Sequence, residues 1–574
     1  MFKNMTMPLL KRFKLAATFK REILTFFLFQ ISISLSFLIL PYLSRTFIDK
    51  SLVNKNYPSF LSCVILGAGA FILGTIINAS SDYLRERISV KLSISLAGRL
   101  LSKICFLDLA NFQNYSIGEY IHSFSSLENI GAVLFQRIPS LAANSISLCL
   151  TLGIIFWLNF KIALVLLTIG PVLAFLQLAI RRKLVLVGKQ LWENNSYATN
   201  KLFELISHMA IIKAFGQERR QRNAFISTVI MHSRIRLKAS RYLVAFSIST
   251  SAIFRVMAGL VSVYGGLLIL KGKLTLGTFT ALLLYLGQAS VFVQSIQSYL
   301  VNITQDFVNI DKLFTILEKK SAIENVPSPI VKVPHREIVF SRITFGYQKL
   351  NPVLEDVDFS LPMGKWIGIS GSSGVGKTTI VSLLLRFYDP WKGQILFDEI
   401  DLKELSLSSL REYMSVVLQE PFLFSLSVRE NIIFGRKKIS DVQVEEAVHI
   451  VEAGEFVSRL PQGYDTLLGE NGYQLSGGYK QRIALARALI GDPAILLVDE
   501  GTSAIDLNTE SKILSNIKKK RFGKTTIFVS HRLSVIQEMD SVIFIKGKSE
   551  IIQGAHSELI LSEEMYRDYF RQKV

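Results

Sequence analysis

Gly371, Ser372, Ser373, Gly374, Val375, Gly376, Lys377, Thr378 and Thr379 fit the pattern G-x-x-x-x-G-K-[ST]. The apolar run Trp366 to Ser370 before them predicts a buried strand, and Ile380 to Arg386 after them predicts a helix. A loop in that setting turns successive backbone N–H groups inward beside a helix N-terminus, which makes an anion site. Glycine is required because a Cβ would hold phosphates away from the backbone. Lys377 is placed for β- and γ-phosphate oxygens and the Thr378 hydroxyl for Mg²⁺. A chance glycine-rich turn would not combine all of these features, so the expectation is a nucleoside triphosphate site.

A second set of chemical residues closes the run Ala494 to Glu500, which predicts a buried strand delivering Asp499 and Glu500 at its end. Asp499 suits the Mg²⁺ shell. Glu500 suits polarisation of an attacking water, since phosphoryl transfer requires mainly positioning and charge stabilisation. Core strands often end in surface acids, but here a phosphate loop lies upstream.

A third set is polar and lies in an apolar stretch: Gln288, Gln294, Ser295, Gln297, Ser298, Asn302 and Gln305. It reads either as hydrogen-bonding glue between helices or as the wall of a polar cavity. Arg255, with Ser247, Ser251, Gly259 and Ser262 on its helical face, sits midway along the preceding stretch. A cation at such depth usually faces a bundle interior or a cavity. Arg255, Gln294, Gln297 and Asn302 are therefore candidate substrate residues, the competing role for Arg255 being an ion pair with Asp306.

The elements that must hold these groups follow from composition. The chain has 574 residues, half of them hydrophobic, which requires more than one core and suggests a membrane portion. Mean hydropathy is +0.36. Cys63, Cys105 and Cys149 lack metal-ligand spacing and imply no disulfide framework. Apolar stretches at 23–43, 59–80, 139–158, 162–180, 243–270 and 275–300 each approach the ~20 residues that a spanning helix needs. Lys and Arg crowd the connections after the second and fourth stretches, among them Arg85, Arg87, Lys91, Arg181, Arg182, Arg219, Arg220 and Arg234. The positive-inside rule then puts both long connections and both chain ends in the cytoplasm. That topology accounts for the net charge of +20 without nucleic acid. The basic segment Pro8 to Arg21 lacks a signal-peptide cleavage site and suits the membrane interface.

The expected fold is an α-helical transmembrane bundle of six spans with long cytoplasmic helix extensions over 1–320. A linker over 321–335, containing Pro327, Pro329 and Pro334, leads to an α/β P-loop NTPase domain over 336–574.

Leu475-Ser-Gly-Gly-Tyr-Lys-Gln-Arg482 resembles the signature motif of ATP-binding cassette (ABC) ATPases. Tyr347 looks like the adenine-stacking aromatic, Gln419 like the Q-loop glutamine, Ser503 to Asp506 like the D-loop and His531 like the switch histidine. Pro41 with Asp49, Leu107 to Tyr115 and Ile212 to Glu218 are similar to features of the family's exporter branch. The resemblance covers nearly the whole chain as one half-transporter. It implies catalytic Glu500, His531 and Gln419, with Mg²⁺ on Thr378, Gln419 and Asp499. It also implies ATP contacts from Tyr347, the phosphate loop, Ser476, Gly477, Gly478 and Asp506.

In the family two such chains close on two composite sites, so the partner is a second copy or a related half. The implied activity is ATP-driven export or flipping of a small amphipathic substrate (lipid, drug or peptide-like) by alternating access. The implied location is a membrane and its lipids, with the bacterial inner membrane expected. Import of a siderophore- or vitamin-like compound and a gated channel are the alternatives. No peptidase segment precedes the first span, which disfavours a leader-cleaving exporter. Tyr479 stands where the family usually has Gln, Gly501 where it has Ala or Pro, and Ile505 where it has Leu. The Tyr479 ring is expected to pack against the neighbouring subunit's ribose.

Overall fold

The computed structural model describes residues 19–167, 193–319, 335–348, 350–469 and 475–571, with single positions between them. The chain divides into two compact units, 1–107 with 112–320, and 108–111 with 321–574.

In the first unit, helix α1 (Lys20–Thr46) runs into a π-helical turn, Phe47–Leu52. Helices α2 (Tyr57–Cys105), α3 (Ile138–Leu158), α4 (Glu218–Leu270) and α5 (Leu276–Glu318) follow. Among the described residues, five helical segments are long and apolar enough to cross a membrane. Most of the stretch expected at 162–180, with Arg181 and Arg182, lies outside the described residues, as do most of the basic segment 8–21 and of the linker. At 1.5 Å per residue the 49 residues of α2 and the 53 of α4 reach about 75–80 Å, far beyond a hydrocarbon core of ~30 Å. The expected extensions are therefore continuous helix.

α1, α3, α4 and α5 bury Leu38, Ile155, Phe254, Met257, Val261, Leu282 and Leu286 in one core. Ile65, Leu66, Phe71 and Ile72 on α2 are exposed, as a lipid-facing surface requires. The start of α5 is pinned from outside its own helix. Asp49 accepts hydrogen bonds from the Gly277 N–H at 2.8 Å and the Thr275 hydroxyl at 2.7 Å. A Cβ at Gly277 would lie 2.6 Å from the Arg45 carbonyl oxygen, so only glycine admits this approach. Asp306 pairs with Arg137 rather than with Arg255, because Arg137 enters from the turn preceding α3.

The second unit holds two sheets. β1 (Glu337–Phe345), β2 (Leu354–Pro362), β4 (Lys392–Phe397) and β5 (Ile400–Asp401) form an antiparallel sheet in the order β2-β1-β4-β5. β3 (Trp366–Gly371), β6 (Met414–Val417), β7 (Ile495–Asp499), β8 (Thr525–Val529), β9 (Ser541–Ile545) and β10 (Ile551–Gly554) form the other. Its order is β10-β9-β3-β8-β7-β6, parallel except for β10. Every residue of β3, β7 and β8 is buried, as expected of parallel strands covered on both faces. Loops leaving the carboxyl ends of β3, β6, β7 and β8 therefore gather at one edge, the place where open α/β sheets bind ligands.

Candidate functional site at the carboxyl edge of the parallel sheet

β3 ends at Gly371, and helix α6 (Lys377–Leu384) starts where the loop ends. Gly374 at φ +78° and Gly376 at φ +113° adopt left-handed backbone that side chains resist. Gly376 is the residue preceding α6, so the helix N-terminus opens into the loop. The Lys377 ammonium lies folded back, donating to the Gly371 and Ser372 carbonyls at 2.9 Å each. Ser372, Ser373, Gly374 and Thr378 are exposed, Val375 is half-buried, and Thr379 is buried. The Tyr347 hydroxyl shares a hydrogen bond of 3.2 Å with Thr379, while the ring stands edge-on to Phe345 and Tyr388 and is 52% exposed. A free aromatic face beside a phosphate loop suits a base.

Asp499 and Glu500 follow β7 but live in opposite environments. Asp499 is 1% exposed, and neither of its carboxylate oxygens has a hydrogen-bond partner among the described residues. Burial pushes its pKa above the usual range, partly offset by the nearby Thr378 hydroxyl, reinforced by the Glu500 charge and opposed by Lys377. Two buried oxygens without a hydrogen-bond partner among the described residues, beside a threonine hydroxyl, have the chemistry that a hard divalent cation favours. Glu500 is held in left-handed backbone at φ +51°, its N–H bonded to Val529 on β8 at 2.9 Å. Such strain in a non-glycine residue persists only where neighbours fix it.

Gln419 and His531 converge on that carboxylate. The Gln419 amide donates to one Glu500 oxygen at 3.0 Å, and His531 Nδ1 lies 3.4 Å from the other. Gln419 follows β6 and His531 follows β8, so the parallel register brings two distant positions onto one carboxyl group.

The signature residues open a different helix from the loop's. Helix α8 (Gly477–Leu489) starts at the exposed Ser476, whose hydroxyl makes no capping bond. A Cβ on Gly478 would lie 2.9 Å from the Ala504 carbonyl, so the signature turn rests against the D-loop. Asp506 caps helix α9 (Leu507–Lys520), accepting from the Thr509 N–H at 2.9 Å, which holds its carboxyl below the usual range. Among the described residues, no hydrogen bond joins Ser476, Gly477, Gly478 or Asp506 to the phosphate loop of the same chain.

The Tyr479 ring does not stand free for a neighbouring ribose. It stacks on Phe456, in helix α7 (Gly454–Ser458), at 3.8 Å between centroids, and the Arg482 guanidinium lies 4.3 Å from its centroid. The ring ties the start of α8 to α7 within its own chain. Tyr479→Gln is therefore expected to cost about 1–2 kcal/mol, the worth of one aromatic pair with a partly exposed cation. Tyr479→Phe should retain it. Thermal melting of the two variants checks this, and a Gln variant as stable as wild type contradicts it.

Several supporting residues were not singled out from sequence. Gln481 is buried, donates to the Ser503 hydroxyl at 2.9 Å and accepts from the Ala504 N–H at 2.8 Å. Arg532 donates to the Ser503 and Ile505 carbonyls and pairs with the buried Glu510 at 2.9 Å. Together they fix the D-loop between the signature helix and the histidine segment. Gln481 stands inside the signature motif quoted above and Arg532 directly follows the histidine named there, which was their only signal, and Glu510 had none.

The first unit holds a cavity of about 470 Å³ lined by Leu243, Ser247, Val291, Gln294, Ser295, Gln297, Ser298 and Asn302. Three of the candidate substrate residues line it, but Gln297 is buried and exchanges hydrogen bonds with Thr250 across α4 and α5. Arg255 is not among the lining residues; it is exposed and has no partner among the described residues.

Membrane-length helices in one chain with an α/β unit that carries a phosphate loop and a braced carboxylate are the parts that a nucleotide-driven membrane transporter requires. The profile described as the ABC transporter transmembrane region matches residues 23–293, and that described as ABC transporter matches 354–503. The uncharacterised ABC transporter ATP-binding protein YfiC of Bacillus subtilis is 30% identical over 93% of this chain and 89% of its own length. An ATM1-type heavy metal exporter of Novosphingobium aromaticivorans is 30% identical over 94% and 90%. An ATP-dependent lipid A-core flippase of Desulfotalea psychrophila is 30% identical over 92% of each. The solved structure of a bacterial Atm1-family ABC exporter with ATP bound is 27% identical, with a TM-score of 0.88 over 97% of this chain and all of that one. The chain belongs to the ABC transporter family, as an exporter-type half-transporter with its membrane and ATPase domains in one polypeptide. It is an integral membrane protein and an ATPase coupled to transport.

Proposed function

We propose that two copies of this chain move an amphipathic organic compound outward, or from one leaflet to the other, across a bacterial inner membrane with both chain ends cytoplasmic. The observation carrying the ATPase half of this reading is the Glu500 carboxylate braced by Gln419 and His531, beside Asp499, whose buried oxygens lack a hydrogen-bond partner among the described residues. Thr378, Asp499 and Gln419 would hold Mg²⁺, and Tyr347, Gly371 to Thr379 and the facing signature Ser476 to Gly478 would hold ATP. Bound there, Mg-ATP supplies the phosphoryl group that water accepts. Lys377 leaves the Gly371 and Ser372 carbonyls for phosphate oxygens. Glu500 orients the water and draws on its proton, while Gln419 and His531 keep the carboxylate aimed. Because Ser476 and Asp506 make no hydrogen bond to the loop of their own chain among the described residues, a second copy best supplies the facing half of each site.

The substrate side rests on the cavity. Its hydroxyl and amide groups suit an organic compound bearing amide, hydroxyl or other hydrogen-bonding groups better than a bare soft metal ion. The relatives named for heavy-metal export and for lipid A-core flipping leave both an organic conjugate and a lipid head group compatible with it. Compounds co-purifying with the protein should be identified by mass spectrometry and tested for stimulation of ATPase activity in lipid nanodiscs. Gln294→Leu and Asn302→Leu are expected to keep basal hydrolysis and to lose most of the stimulation. Undiminished stimulation in both variants would remove the cavity as the substrate site.

A further inference from the structure

The Gly371 carbonyl opens the phosphate loop, is part of a buried residue, and receives two donors. One is the Lys377 ammonium at 2.9 Å. The other is the Tyr569 hydroxyl, also at 2.9 Å, from helix α10 (Glu564–Arg571), 198 residues further along the chain. The Tyr569 ring is set by edge contacts with Phe544 on β9 at 5.3 Å and Phe570 at 4.9 Å. α10 is anchored by the fully buried Tyr566 and Phe570. The hydroxyl is therefore carried on a fixed support.

The two donors differ in what nucleotide does to them. Lys377 must leave the loop carbonyls to meet phosphate oxygens. A carbonyl abandoned in a buried position costs the desolvation of that group, whereas one with a second donor does not. We propose that Tyr569 is a positioning residue for ATP binding: its hydroxyl keeps the Gly371 carbonyl satisfied so that Lys377 is free to turn to phosphate. The carboxyl-terminal helix thereby sets the affinity of the loop without touching nucleotide. Without the hydroxyl, Lys377 is the remaining side-chain donor among the described residues and is held back by the loop. The effect falls on nucleotide affinity rather than on turnover, since Glu500, Gln419 and His531 are untouched.

This inference rests on the ATP reading of the loop, and the test separates the two. ATP KM, kcat and melting temperature are measured for full-length wild type, Tyr569→Phe and Tyr566→Phe in lipid nanodiscs. Tyr566→Phe deletes the neighbouring hydroxyl, which bonds to His556 at 2.7 Å. Tyr569→Phe should raise KM about three- to tenfold, the worth of one buried hydrogen bond, with kcat and melting temperature near wild type. Tyr566→Phe should lower the melting temperature and leave KM in place. An unchanged KM in Tyr569→Phe overturns the proposal, and so does an equal rise in both variants, which would mark general loosening of the helix. A wild-type protein that hydrolyses no ATP overturns the underlying reading of the loop instead.

Discussion

Glu500→Gln is expected to bind Mg-ATP nearly as wild type does and to hydrolyse it at least ~10²-fold more slowly. The amide has nearly the shape of the carboxylate but can neither accept the water's proton nor match the donors aimed at it. Gln419 Nε2 donates to one oxygen at 3.0 Å and His531 lies 3.4 Å from the other, so the site is built around a negative group. The left-handed backbone at φ +51° and the bond to Val529 hold the side chain's origin in place, so the substitution should change chemistry without moving the loop. Asp499, the proposed cation ligand, is left unchanged. Bound nucleotide that is not hydrolysed should accumulate the protein as a closed dimer. Single-turnover ATPase assays with a nucleotide-binding control check the prediction; a variant working at half the wild-type rate or better contradicts the role of Glu500.

The parts of this site that lie together in sequence were legible there, because a local pattern carries its own geometry. Gly371 to Thr379 needs only the strand before it and the helix after it, and both formed. Asp499 and Glu500 were readable as a strand end, but their different fates were not. The orphaning of Asp499 and the bracing of Glu500 depend on which strands flank β7, and β6 and β8 lie far off in sequence. Gln419 and His531 were nameable through family resemblance, whereas their convergence on Glu500 required the parallel register.

Long-range partners left no local trace. Tyr569 reaches Gly371 from near the other end of the domain, and Glu510 reads as an ordinary helix acid until Arg532 folds onto it. In the membrane unit, periodicity predicted spans but not pairings. Asp306, an acid on another helix from Arg255, is the alternative partner that the sequence offers, yet Arg137 holds it. At Tyr479 the family's usual residue is polar, which points outward toward a neighbouring nucleotide. An aromatic ring instead gains more from Phe456 and Arg482 in its own chain.

The second large effect concerns assembly. The phosphate loop and Ser476 belong to one chain but share no hydrogen bond within it among the described residues, and Ser476 sits exposed at the start of α8. A symmetric pair of chains would place each signature turn over the other's loop, giving two equivalent sites. Lys377→Ala should then silence its own loop, and Ser476→Arg should block closure over the partner's. Each variant alone builds two damaged sites and should be inactive. A mixed dimer builds one doubly damaged site and one with both elements intact.

The most direct test of ATP hydrolysis at sites shared between two chains is therefore the ATPase rate of the two variants co-expressed and purified as a mixture. Differently tagged copies allow mixed dimers to be isolated. Random pairing should restore up to about one quarter of wild-type activity, because half of the dimers are mixed and one of two sites in each is whole. Mixed dimers recovered in good yield but no more active than either variant alone would contradict the account.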